Sequence, residues 1–174
     1  MKRAIGLLVV AFAVSGLAAA QSNPVMDSVR HIVQRQQKNL EAAAEEMPGE
    51  KYSFRPTAQQ MTFGTLVMHV AESNHFLCAR LSGDTPAKLQ LKPTDPKAKL
   101  VAAMKTSFSY CDTALAKVND SGLGEQVKVW GGHEMLKAGA AISLTDDLAD
   151  HYSHASMYLR LNGLLPPTAK KKGE

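Results

Sequence analysis

The chain has 174 residues, 45% of them hydrophobic and 6% aromatic, with a formal charge of +4. That length and apolar content suit one domain with a real core and exclude a largely disordered chain, and the low aromatic fraction, beside abundant Ala and Leu, favours helices over a β-sandwich. Lys2, Arg3 and Lys170-Lys171-Lys172 carry the excess charge at the two ends. The middle is close to neutral and has no basic stripe interleaved with aromatics, so nucleic-acid binding is not supported.

Taken in chain order, residues 1–20 read as a secretory signal peptide. Lys2 and Arg3 open it, an apolar run follows from Ala4 to Val14, and Ala18-Ala19-Ala20 supplies the small residues before a cut after Ala20. The run is short for a spanning anchor, which needs about 20 apolar residues. The mature protein is therefore expected outside the cytoplasm, periplasmic or extracellular, and free of the membrane after cleavage.

Helix one is predicted from Pro24 to Met47, with Val25, Val29, Ile32, Val33, Leu40, Ala43 and Ala44 at helical spacing. Asn23 is its expected cap and Pro48-Gly49 its stop. Residues 50–59 read as an extended connection carrying Tyr52, Phe54 and Pro56. Helix two runs from Thr62 to Ser82 and stops at Gly83-Asp84. The stretch 85–95, with Pro86 and Pro93, cannot be helical for long. Helix three runs from Pro96 to Val118, and Asn119-Asp120-Ser121-Gly122 is the clearest break in the chain. Residues 123–133 form another connection with room for a short extended piece. Trp130 within it is expected to plug the core. Helix four starts between Glu134 and Lys137 and ends at Leu161 or Asn162, with Gly163 as its C-terminal cap. Residues 168–174 read as a disordered basic tail.

Four amphipathic helices in one domain make an all-α four-helix bundle. Cys78 and Cys111 bear on its topology. An even cysteine pair in an exported protein reads as a disulfide. Antiparallel helices two and three would hold the two residues roughly 15 Å apart along the axis, at about 1.5 Å rise per residue, whereas a disulfide needs Cα atoms within about 7 Å. Parallel helices put both at one height. Given the disulfide, the order is up-down-down-up with long connections.

One place could carry chemistry. Asp147, His151 and His154 stand at i, i+4 and i+7, on one face of helix four. His69 lies mid-helix two at a compatible height. Two imidazoles and a carboxylate can share a divalent cation and leave positions open for water or substrate, the mark of a catalytic rather than a structural site. The bland alternative is that Asp147 pairs with His151 and binds no metal. His31, His75 and His133 have no partners at useful spacing and read as structural or surface residues.

The chain resembles the DinB/YfiT-like family of four-helix bundles. The resemblance runs through Met47-Pro48-Gly49-Glu50-Lys51-Tyr52-Ser53-Phe54-Arg55-Pro56-Thr57, Met61-Thr62-Phe63-Gly64 and His69-Val70-Ala71. It is strongest in Asp150-His151-Tyr152 and Tyr158-Leu159-Arg160-Leu161-Asn162-Gly163-Leu164-Leu165-Pro166-Pro167. It covers residues 21–167 as one DinB-like bundle and implies the up-down-down-up order. It also implies a divalent metal held by one His on helix two and two His, four apart, on helix four. Zinc, nickel, iron and manganese are not distinguished.

His69 and His151 match two of those ligands. Asp147 stands where the family has the third His, a change that alters the metal site or abolishes it. His154 is an additional ligand or a partner behind the ligands, and Asn74 and Tyr152 are pocket candidates. The implied activity is metal-dependent hydrolase or thiol-transferase chemistry on an unidentified small molecule, with no catalytic residue assigned. The alternative is a non-catalytic bundle that binds a small ligand or partner. A homodimer is compatible with either.

Overall fold

The computed structural model describes residues 22–170. The expected signal peptide and residues 171–174 of the tail lie outside that range. Helix α1 spans Pro24–Glu46, α2 Phe63–Ser82, α3 Lys97–Leu115 and α4 Lys137–Leu161. Each buries one face, since apolar residues three and four apart line one side of a helix. On α1 that face is Met26, Val29, Val33, Leu40 and Ala43, and it meets the buried faces of the other three helices in a single core with Phe63, Leu77, Phe108 and Leu144 at its centre.

Side-chain contacts give the directions. Cys78 is bonded to Cys111, with Cα atoms 5.2 Å apart, and the Asn74 amide donates to Ser107 Oγ at 3.2 Å. Both pairs advance together along the chain, so α2 and α3 are parallel. Arg30 donates to the carbonyls of Leu115 and Val118, while Lys105 pairs with Glu45 at the other end, so α1 and α3 are antiparallel. Ser73 meets Asp147 and Tyr158 reaches Met61, so α2 and α4 are antiparallel as well. The order is up-down-down-up, as the cysteine argument required. Among the described residues no helix is long and apolar enough to cross a membrane.

The start of α1 departs from expectation. No side-chain bond from Asn23 caps it. Asp120, far along the chain, accepts from the Val25 and Met26 amides at 3.0 and 2.9 Å. Asn23 Oδ1 accepts from the Asp120 amide in return, at 2.9 Å. The arrangement is a capping box closed through space, its carboxylate placed where the helix dipole favours negative charge. The break after α3 thus serves as the cap of α1.

The first connection is not extended throughout. Gly49–Lys51 makes a 3-10 turn, and Tyr52 and Phe54 then fold back. The Tyr52 hydroxyl donates to the Ala44 carbonyl at 2.7 Å. The rings of Tyr52, Phe54, Phe63 and Tyr158 pack at centroid distances of 5.2 to 6.3 Å, tying this connection to α2 and α4. Gly64 sits at the crossing: a Cβ there would stand 2.7 Å from the Pro93 carbonyl, so only glycine lets both connections close over α2.

Between α3 and α4 lies a hairpin, β1 Gln126–Lys128 and β2 Glu134–Leu136, antiparallel with Val127 opposite Met135. Its loop turns on Gly131 and Gly132 at φ of 66° and 77°. Because Trp130 rides on this loop, it is 46% exposed rather than buried in the core. Residues 168–170, expected in the disordered tail, are held against the bundle. Pro167–Ala169 is a 3-10 turn, Thr168 bonds the Tyr152 hydroxyl, and Lys170 pairs with Glu46 at 2.5 Å.

Candidate functional site

His69 stands in the second turn of α2 and Asp147 and His151 stand one turn apart in α4. The antiparallel register of α2 and α4 brings all three together, and one ligand atom from each lies within 4.8 Å of the others. Asp147 Oδ1 is 3.9 Å from His69 Nε2 and 3.9 Å from His151 Nδ1, and the two imidazoles stack with centroids 4.7 Å apart.

His151 is the most telling member. It is only 8% exposed. Its Nδ1 lies 2.8 Å from the Asp147 carbonyl. A carbonyl only accepts, so Nδ1 carries the proton and Nε2 is left as a bare lone pair. That Nε2 is buried and has no hydrogen-bond partner. A buried acceptor without a partner costs about 1–3 kcal/mol, and fixing Nδ1–H on a carbonyl is how proteins present Nε2 to a metal.

The electrostatics separate the three groups. The Asp147 carboxylate lifts the His69 imidazole above its ordinary pKa, against the effect of burial. Burial pushes His151 down further than the same carboxylate pulls it up. Burial would also raise Asp147, but His69 and the Ser73 hydroxyl outweigh it and hold the carboxyl below its usual range. Near neutral pH the site therefore holds a carboxylate and a neutral His151, while His69 keeps its proton to a higher pH than a free imidazole does.

Ser73 was not legible as a site residue. Its hydroxyl donates to Asp147 Oδ2 at 2.8 Å, which turns Oδ1 toward the two imidazoles. The signal was its place one helical turn after His69, on the same face of α2. The other expected residues lie elsewhere. His154 pairs with Asp150 at 3.4 Å and sets its ring edge-on to that of His151, with centroids 6.2 Å apart, behind the cluster rather than in it. Its ligand atoms are not part of the group of three that converges within 4.8 Å. Asn74 is fully buried against α3. Tyr152 is engaged by Thr168 on the outer side of α4. His75, read as a structural or surface residue, accepts from the Ala87 amide at 3.2 Å and packs on Tyr110.

The cluster is open on the His69 side. A groove of about 430 Å³ runs from His69 and Ser73 along α2 to Phe76, walled by residues 87–91 and by Trp130. His75 holds that wall in place through Ala87.

The model of the DinB superfamily matches residues 32–155. The chain belongs to the DinB superfamily. Its solved structural neighbours include a DinB-like protein from Bacillus subtilis, with 16% identity over 83% of this chain and 99% of that one and a TM-score of 0.67. A DinB-like protein from Bacillus cereus has 15% identity, coverage of 82% and 93%, and a TM-score of 0.62. The mycothiol-dependent maleylpyruvate isomerase has 12% identity over 74% of this chain, with a TM-score of 0.61. This DinB-superfamily chain covers 59% of the isomerase's length. At these identities the likeness concerns the fold. No curated protein matches the chain.

Proposed function

We infer that this DinB-superfamily protein is a metal-dependent enzyme acting on a small molecule, with His69, Asp147 and His151 as ligands of one divalent cation. The observation that carries the reading is the buried, unpartnered Nε2 of His151, held in the ligating tautomer by the Asp147 carbonyl. The donor set fits: two imidazoles and one carboxylate recur in catalytic zinc and non-haem iron centres. When bound, such a cation supplies Lewis acidity and lowers the pKa of a water or thiol on its open face. Ser73 orients the carboxylate, Asp147 would offset the charge of the cation, and His69 would bind it through a deprotonated ring nitrogen. The groove leading to His69 gives a substrate its approach. Hydrolysis and thiol transfer are the two chemistries proposed, the second supported by the thiol dependence named for the isomerase.

The same reading includes export. The sequence pattern of residues 1–20 supports it, and so does the Cys78–Cys111 disulfide, a bond that reducing cytosol disfavours. The protein recovered from an export-competent host is expected to begin at Gln21 and to lie outside the cytoplasm. A chain retaining residues 1–20 in the cytosol would refute export and leave the metal centre untouched.

Metal analysis of the purified protein tests the centre. About one zinc or iron per chain is expected, retained through gel filtration and lost in both His69→Ala and His151→Ala, with helical circular dichroism unchanged. Protein that takes up no divalent metal would sink the enzyme reading in favour of a bundle that binds ligands without one.

A further inference from the structure

The groove beside the metal cluster has two chemically different ends. At one end are His69 and Ser73. At the other, the Phe76 and Trp130 rings stack with centroids 5.2 Å apart and planes within 21°. The Arg80 guanidinium, 5.2 Å from the Phe76 centroid, steadies that ring. Leu89 and Leu91 pack against the core and face the same groove from the opposite wall. Trp130 keeps 46% of its surface exposed. A large flat apolar group left open beside a pocket is unusual, because tryptophan contributes most when its faces are covered. His69 and Phe76 lie on one face of α2 seven residues apart, about 10 Å along the axis. The volume of about 430 Å³ falls in the range of small-molecule sites.

We propose that this groove is a specificity site for small molecules that carry a flat aromatic group about 10 Å from a metal-seeking head. The ring lies on the Phe76–Trp130 shelf and the head reaches His69, Asp147 and His151. The head's part rests on the metal reading above; the ring's part does not. Lys88, at the edge of the groove, faces solvent and makes the approach less acidic than Glu72 and Asp147 alone would.

The probe is ω-phenylhexanohydroxamate, whose ring and head span that distance, compared with hexanohydroxamate, which lacks the ring. The hydroxamic head is neutral when free, so Asp147 does not repel it from metal-free protein. Trp130 is the single tryptophan, so quenching of intrinsic fluorescence reports occupancy of the shelf, and calorimetry follows variants that lack it. The ring is expected to tighten binding about tenfold, the worth of one aromatic stack, in zinc-loaded and in metal-free protein alike. Trp130→Ala, on an exposed loop, should remove that advantage while leaving hexanohydroxamate binding to zinc-loaded protein as it was. Equal affinity of the two probes, or a ring advantage that survives Trp130→Ala, overturns the proposal. A ring advantage in protein that never binds zinc upholds the shelf and refutes the metal centre.

Discussion

Two seams of α2 invite comparison. The seam with α3 is closed. Cys78 and Cys111 are covalently joined, Asn74 donates to Ser107, and Ser107 donates to the Met104 carbonyl. The seam with α4 is chemically unfinished. There Ser73 and Asp147 are paired, but His151 Nε2 is buried with nothing to bind, and His69 opens to a groove. One helix thus carries a stabilising face and, about 100° around it, a face that leaves a buried group without a partner. Polar groups near a core are tolerated in both places, but Asn74 and Ser107 at the first are bonded while His151 Nε2 at the second is not. That asymmetry is what distinguishes a site from a staple.

The largest effect should come from the staple. Replacing Cys78 and Cys111 together with alanine is expected to cost roughly 2–4 kcal/mol of unfolding free energy, read as a lower urea midpoint. Metal content of the folded variant should not change. Loss of metal in that variant would show the two seams to be one unit. Asn74→Ala comes next, at about 1–2 kcal/mol, because its amide is buried while Ser107 keeps its second partner. Again the site should be unaffected.

His151→Leu should sharpen the contrast. It is expected to remove the proposed metal binding, yet metal-free stability should stay within about 1 kcal/mol of wild type, or rise, since an unpaired buried acceptor is removed. A loss of several kcal/mol in metal-free protein would make His151 a structural histidine. The smallest effect is expected for His154→Ala. It should leave metal content intact and change stability by less than about 0.5 kcal/mol, since its one charged partner is the exposed Asp150.

The stabilising seam was largely legible in the sequence. Helical spacing, prolines and Gly83 bounded α2 and α3 closely, and the height of two cysteines settled their relative direction. The site was legible where it followed helix periodicity: Asp147 and His151 are one turn apart, and His69 lay at a matching height. At His154 the shared face places the ring against His151 but not among the converging ligand atoms. What lay across connections was hidden. Trp130 read as core because its composition is apolar, whereas Gly131 and Gly132 turn its hairpin loop outward onto Phe76. Residues 87–91 looked like filler between prolines, and nothing local tied them to His75. Ser73 was within reach of the pattern but carried no charge to draw attention to it.

The through-space cap on α1 has a consequence in time. Its donors, Val25 and Met26, precede the Asp120 acceptor by up to 95 residues. At a synthesis rate of about 5–20 residues per second, the chain's first helix spends roughly 5–20 s without the group that closes its first turn. Although α1 is the earliest made of the described helices, its beginning stays open until α3 has been made and the chain has turned back to meet it.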